Sequence, residues 1–493
     1  MIKKYYFEII VFITGAVVMV IELVGSRLLA PYLGTSIYVW TSLIGIMLAS
    51  LSIGYYWGGR ISKDKPTLRT LADIILYAAL FAATILILEI FLPLFAELPI
   101  DIRISTAVVS SLLFSPVTIA LGMVSPYVAR LKINSLHDVG TSLGTLYAVS
   151  TIGSIIGTFL GGFILISYVG TRVLFITVAL ILFCLYLFIT GTSKLKIVTK
   201  KVLLFLLVVL CMFIIYSSYL TSNGNIIADI DSHYNRWIVY EQKDARGEHV
   251  YHYLTNGIGG IQSGVDLADP TTLLFPYLQA FDTAFLLKPQ FTSTLLIGAG
   301  AYTYPLHFAA RYPDRHMDVI EIDPEVLNIA EKYFSYTPQK NVTAISEDGR
   351  TFLNSTKNIY DIVFLDAFSS RNSIPYQLTT LETARAIKKS LTPDGLVIMN
   401  VLASVTGDKA QFLQAEYKTY KQLFPQVVAF QVDSGQPKER LQNILLIASA
   451  DIKPVLTNAT SSIPETLLKS NIPVLTDDFA PIEYYTRRFA DHP

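Results

Sequence analysis

Apolar residues follow two different rhythms along this chain. In the first 222 residues they form long, almost unbroken runs, at about Phe7–Val24, Tyr38–Trp57, Leu71–Phe95, Thr106–Val128, Leu143–Ile166, Val173–Ile189 and Val202–Leu220. Each run is near the roughly 20 residues a helix needs to cross a bilayer core, so the pattern predicts seven membrane helices. The first run has no small-residue cleavage site and leads straight into more apolar sequence, so it reads as a retained helix rather than a removable signal.

From about Asn223 the rhythm changes to that of a soluble α/β domain. Trp237–Gln242 and His249–Leu254 alternate in period two about the turn Asp244-Ala245-Arg246-Gly247, which predicts a β-hairpin. A short strand is expected after Gly257, Gly259 and Gly260, ending near Gln262. Asp269-Pro270 reads as the start of a helix running toward Leu286, and Asp323-Pro324 as the start of a second, Glu325–Phe334. Leu295–Ile297, the run closing on Glu321, Val342–Ile345, Asp361–Leu365 and Leu396–Asn400 read as successive buried strands. With Val427–Val432 and Ile444–Ser449 they would complete a seven-stranded sheet. The expected layout is a transmembrane domain over 1–222, a β-rich piece over 223–290 and a Rossmann-like domain over 291–493.

Composition supports the division. The chain is 52% hydrophobic and only 15% charged, less charge than a soluble protein of 493 residues would carry. Zero net charge with no basic stripe argues against nucleic acid as a partner. The two cysteines, Cys184 and Cys211, lie inside apolar runs, and His249 and His252 lack neighbouring ligands, so neither a disulfide framework nor a metal site is expected.

The basic residues report orientation. Lys3, Lys4, Arg60, Lys63, Lys65, Arg69, Arg130, Lys132, Lys194, Lys196, Lys200 and Lys201 fall at the amino terminus and in the even loops, against Arg27, Arg103 and Arg172 in the odd ones. That bias places the amino terminus in the cytoplasm. Seven crossings would then put the soluble domain outside, in conflict with the cytoplasmic placement that a nucleoside substrate suggests. Within the apolar half, Gly153, Gly157 and Gly161 line one helix face and suit close helix packing or a path for a small molecule. Glu22 calls for a partner such as Arg27 or Arg60, or for a polar pocket.

The soluble half carries candidate chemistry at the carboxyl ends of its strands, where open α/β sheets bind ligands. Gly298 and Gly300 form a turn after the first strand that would let backbone N–H groups approach a ligand. Glu321, 23 residues after Gly298, closes the second strand and suits a carboxylate accepting from ribose hydroxyls. The third strand runs into Glu347, Asp348 and Gly349, the fourth ends on Asp366, and the fifth on Asn400.

These residues resemble the spermidine synthases, the polyamine aminopropyltransferases, and the whole chain looks like their membrane-fused relatives. The likeness rests on ELVGSRLLAPYLGTS, GYYWGGRISKDKP and SLGTLYAVSTIGSIIGTFLGGF in the apolar half. In the soluble half it rests on DSHYNRWIVYE, LTNGIGGIQS, LLIGAGA, VIEID, EDGR, LDAFSS and LTDDFAPIE. The resemblance implies a multi-pass α-helical membrane domain followed by a class I S-adenosylmethionine-binding domain with a small β-hairpin piece. It implies decarboxylated or intact S-adenosylmethionine as substrate, no metal, an amine acceptor, and a possible homodimer. Gly298, Gly300, Glu321, Asp348 and Gly349 would hold the nucleoside, with Asp348 on the adenine amino group, and Asp366 would be the catalytic carboxylate. Tyr234 and Gln262 would contact substrate.

Three departures from the family pattern stand out. Ala301 and Ser369 replace aspartates, and Leu273 and Leu274 stand where the family keeps a Tyr-His pair. A cationic diamine needs carboxylates to offset its desolvation, and Asp477 and Asp478 are the candidates to restore them. Three readings follow: aminopropyl transfer to an amine, acceptor-free cyclisation of intact S-adenosylmethionine to methylthioadenosine and homoserine lactone, or a non-catalytic nucleoside-binding sensor or carrier.

Overall fold

The computed structural model describes residues 5–63, 66–96, 100–133, 139–191, 205, 225–244, 246–256, 260–367, 374–451 and 462–486. The chain divides into two compact units, Met1–Gly224 and Asn225–Pro493.

Among the described residues of the first unit six helices are long and apolar enough to cross a membrane: Tyr6–Leu33, Ile37–Ile61, Leu68–Glu89, Ile102–Lys132, Val139–Leu165 and Thr171–Thr190. Of the expected seventh segment, Val202–Leu220, all but Phe205 lies outside the described residues. Small residues set the helix contacts. A Cβ on Gly54 or Gly58 would collide with the backbone of Ile102–Lys132, and one on Gly153 or Gly157 with the backbone of Phe12 or Ala16. Close packing is thus the task of Gly153 and Gly157, whereas Gly161 meets only the side chain of Leu23, at 3.4 Å. Glu8 pairs with Lys132 at 2.6 Å, and the buried Glu89 with Arg172 at 2.9 Å. Arg60 donates to Tyr56 rather than to Glu22.

The second unit opens with an antiparallel sheet of four strands, β1 (Ile226–Asp231), β2 (Arg236–Lys243), β3 (Val250–Thr255) and β4 (Ile261–Asp266), in that order. The expected hairpin is its centre. β1 was not foreseen, and β4 begins where the expected short strand was to end.

The main sheet has seven strands: β5 (Ser293–Ile297), β6 (His316–Glu321), β7 (Val342–Ser346), β8 (Tyr360–Leu365), β9 (Leu391–Ala403), β10 (Gln426–Gln431) and β11 (Gln442–Ser449). Their order is β10-β11-β9-β8-β5-β6-β7. β5 to β9 run parallel, while β11 and β10 close one edge antiparallel. Period-two alternation fills both faces: Leu295, Ile297, Val363, Leu365, Val397 and Met399 face one core, and Leu296, Ile362, Phe364 and Ile398 the other. The turn residues Thr392 to Gly395 form an irregularity in β9, whose pairing with β8 passes from Tyr360↔Leu391 to Ile362↔Leu396.

One helix start differs from expectation. Asp269 spends its side chain on the hydroxyls of Thr271 and Thr272 at 2.9 and 2.6 Å, closing a local turn. The helix begins instead at Pro276, extends to Phe281, and is followed after Asp282 by Thr283–Leu287. Asp323-Pro324 behaves as expected: Asp323 caps the helix Pro324–Tyr333 by accepting from the N–H of Glu325 at 3.1 Å.

Candidate active site

Strand order places β5 between β8 and β6, so the turn after β5 lies between Asp366, just past β8, and Glu321, the last residue of β6. Both glycines of that turn have left-handed backbones, with φ of +92° at Gly298 and +51° at Gly300. Space also demands them. A Cβ on Gly298 would strike the carbonyl of Asp366, and one on Gly300 the hydroxyl of Ser263 on β4. Their first task is close approach of protein to protein. The next residue, Ala301, is fully buried and donates its N–H to Ser263 at 2.8 Å.

Glu321 stands beside this turn. Its carboxylate accepts the N–H of Ala299 and that of Asp323, each at 3.0 Å. Burial raises its pKa, and those backbone donors work against the rise. The carboxylate is fixed in place but keeps lone pairs for a ligand's hydroxyls.

Two residues on, the buried Asp323 accepts from the hydroxyl of Ser232 and, at 2.7 Å, from the indole N–H of Trp237. This contact fastens the four-stranded sheet to the end of β6. Gln262, also from that sheet, has its carbonyl oxygen beside Gly300, while its amide lies 3.5 Å from Asn256. Tyr234 is exposed and is tied through its N–H to Ser232 at 3.1 Å.

After β7, Asp348 caps the helix Gly349–Ser355, accepting from Thr351 N–H at 2.9 Å. Gly349 is buried, and a Cβ there would press on Ile297. Asp477, a candidate substrate contact, carries a structural task. Arg350 grips both its oxygens, at 3.1 and 2.6 Å, and Thr380 donates to it at 2.7 Å. Burial opposes ionisation of Asp477, but Arg350 and Thr380 outweigh it and hold the pKa below the usual range. Asp478 is exposed in the turn that follows.

Asp366 is the chemically distinctive group. Burial pushes its pKa up to about 6, against hydrogen bonds from Asn400 and Tyr277. The Asn400 amide donates to it at 2.9 Å, and the Asn400 carbonyl in turn accepts from Asn443 on β11 at 2.9 Å. The Tyr277 hydroxyl bonds to the same carboxylate; burial, then that neighbouring charge, raises the phenol far above its ordinary value. Sequence reasoning missed Tyr277, Asn443 and Ser263. For Tyr277 a signal existed: Phe275-Pro276 is a second helix start, and Tyr277 lies in its first turn. Leu273, by contrast, is buried in the hydrophobic core. Ser369 lies outside the described residues.

An open, mainly parallel seven-stranded sheet with this order and acids at its carboxyl ends is a Rossmann-like fold of the class I methyltransferase type. Residues 286–433 match the family model of the spermine/spermidine synthase domain. The polyamine aminopropyltransferase of Vibrio vulnificus (strain CMCP6) is 29% identical over 250 residues, covering 50% of this chain and 78% of the relative. Polyamine aminopropyltransferase 2 of Aquifex aeolicus (strain VF5) is 21% identical over 412 residues, with 79% of this chain and 78% of the relative covered. The crystal structure of a probable spermidine synthase from Corynebacterium glutamicum superimposes with a TM-score of 0.43 at 19% identity, over 49% of this chain and 93% of that one. The chain is a spermidine synthase-like protein, an enzyme of the transferase type.

Proposed function

We propose that this chain is a membrane-bound, spermidine synthase-like enzyme that transfers an aminopropyl group from decarboxylated S-adenosylmethionine to an amine, releasing methylthioadenosine. The observation that carries the reading is the partly buried Asp366, held by Asn400 and Tyr277 on the far side of the glycine turn from Glu321. Glu321 would hold the ribose hydroxyls, Asp348 the adenine amino group, and Gln262 and Tyr234 would contact substrate from the smaller sheet. The match to the Aquifex relative covers more of the chain than the soluble unit contains, which supports treating both units as parts of one enzyme.

The chemistry asks little of the protein beyond alignment. The amine lone pair attacks the carbon next to the sulfonium. A C–N bond forms as the C–S bond breaks, and sulfur keeps the electron pair as a neutral thioether. The amine must first lose a proton. Asp366, with a pKa of about 6, is ionised at neutral pH and can accept that proton or orient the N–H that carries it. Tyr277 would supply a phenol beside the reacting amine, although Leu273 and Leu274 stand where the family keeps its Tyr-His pair.

The test is product analysis. Purified protein is incubated with decarboxylated and with intact S-adenosylmethionine, with and without diamines, and all products are identified by mass. An amine carrying one added aminopropyl group is expected. Methylthioadenosine accompanied only by homoserine lactone would replace this reading with the acceptor-free one, and nucleoside binding without turnover would leave a sensor or carrier.

A further inference from the structure

The helix Tyr6–Leu33 carries a carboxyl group at Glu22, about midway along a segment of membrane-spanning length. The acidic groups Glu8, Glu89 and Asp101 of this unit pair with Lys132, Arg172 and Arg103. Among the described residues Glu22 has no hydrogen bond or ion pair. An acid in the middle of such a helix is costly without a partner, so the question is what the site is built to receive.

Its surroundings follow from two contacts that fix how Tyr6–Leu33 lies against the helix Ile102–Lys132. Glu8 meets Lys132 at 2.6 Å, and Gly25 closes on the ring of Phe114, a Cβ there falling 2.9 Å from it. The helices are therefore antiparallel, 17 residues on one matching 18 on the other. At one common rise per residue, Glu22 stands level with Val117 and Thr118. It also shares a face with Gly15, which closes on Ser150 of Val139–Leu165. Glu22 thus looks along the seam between two neighbouring helices.

The opposing face supplies unused polarity. Ser110 and Thr118 lie one turn before and one turn after Phe114, both fully buried, and neither hydroxyl has a hydrogen-bond partner. Many hydroxyls in this unit are satisfied by the carbonyl four residues back, as at Thr14, Ser50, Thr106, Ser111, Thr145 and Thr158, whereas Ser36 shares with Ser110 and Thr118 the lack of a partner. Ser110 lies two turns away along the helix, but Thr118 is level with the unpaired acid and is an acceptor awaiting a donor.

We propose that the apolar unit binds a primary ammonium ion at Glu22, with Thr118, level with it on the neighbouring helix, as its neutral hydrogen-bond partner. An ammonium carries one charge for the carboxylate and three N–H donors for the oxygens around it. A metal ion fits less well, since among the described residues no group of three or more His, Cys, Asp or Glu is assembled. The inference takes from the proposed function only that these helices lie in a membrane, and it does not depend on the catalytic assignment.

The experiment is equilibrium binding of radiolabelled spermidine to the full chain in lipid nanodiscs, comparing wild type, Glu22→Gln and Thr118→Val. Release of methylthioadenosine is followed separately. Glu22→Gln should lose one binding site per chain, or weaken it about tenfold or more, and Thr118→Val should weaken it several-fold. Methylthioadenosine release should be unchanged in both. Tetramethylammonium, which has the charge but no N–H, should fail to displace the label. Equal binding by wild type and Glu22→Gln, no binding by wild type, or efficient displacement by tetramethylammonium would each overturn the proposal. Failure of the catalytic reading would appear instead as absent methylthioadenosine release with binding intact. Both substitutions nearly conserve volume, and thermal unfolding of each variant checks that it is folded.

Discussion

Asn400 lies on β9 beside Asp366, just past the end of the neighbouring parallel strand β8, and the Asn400 amide donates to the Asp366 carboxylate at 2.9 Å. Asn443 orients that amide by occupying its carbonyl oxygen at 2.9 Å. A donor aimed at a carboxylate favours the ionised form. With the Asp366 pKa at about 6, kcat/KM for methylthioadenosine release should rise through that pH and level off above it. Asn400→Ala removes one stabilising donor, and Tyr277→Phe the other, so each should move the acid limb to higher pH. A pH–rate profile checks this, and a limb that stays put in both variants would assign it to another group.

The same carboxyl group should cost stability. Its folded pKa, about 6, lies above the ordinary 3.8, so the folded protein binds the proton more tightly than the unfolded chain. The stabilisation is complete below about pH 4 and is lost as pH rises through about 6, amounting to at most about 3 kcal/mol because Asp366 keeps a partly open face. Asp366→Asn should therefore unfold at a higher temperature than wild type at pH 7.5 and lose that advantage near pH 4. It should also release methylthioadenosine about a hundredfold more slowly while still binding nucleoside. Thermal melts at the two pH values, with single-turnover assays, measure both effects.

Glu321→Gln keeps the shape of the side chain but turns an N–H₂ toward either Ala299 or Asp323, whose N–H groups now point at oxygen. One charge-assisted bond to ribose should also be lost, costing roughly 1.5–3 kcal/mol. Calorimetry with methylthioadenosine should show affinity about tenfold weaker or worse. Unchanged affinity would remove the nucleoside assignment from this residue.

Six membrane-length helices are present among the described residues, and an even number of crossings returns the chain to the side on which it began. If these six alone cross, the soluble unit shares the cytoplasmic side that the basic loops assign to the amino terminus, whereas a seventh crossing at Val202–Leu220 would place it outside. Reporter fusions at the two ends of the chain, one enzyme active only inside the cell and one only outside, should give matching signals. Opposite signals would mean that Val202–Leu220 crosses as well.

The strands of the main sheet were legible because each is a short apolar run ending in a polar residue, and a parallel sheet buried on both faces leaves that signature. Glu321, Asp348 and Asp366 could be placed from it. Tyr277 could not, because Asp269-Pro270 offered the same start signal six residues too early. Only the turn closed by Asp269 onto Thr271 and Thr272 shows which proline begins the helix. Asn443 reaches the site through antiparallel pairing of Leu445 with Asn400, a register no local pattern encodes. Leu273 and Leu274 drew attention by position, but an alignment based on position is blind to a phenol delivered from the next turn.

Asp323 has a consequence for how this enzyme could be taken apart or inherited. One carboxylate starts the helix Pro324–Tyr333 and receives Ser232 and Trp237 from the smaller sheet. A cut anywhere between residues 237 and 293 would leave that carboxylate buried without two of its donors. The smaller sheet is thus no detachable accessory: any recombination that brings in the main sheet from another gene must bring its antiparallel companion along.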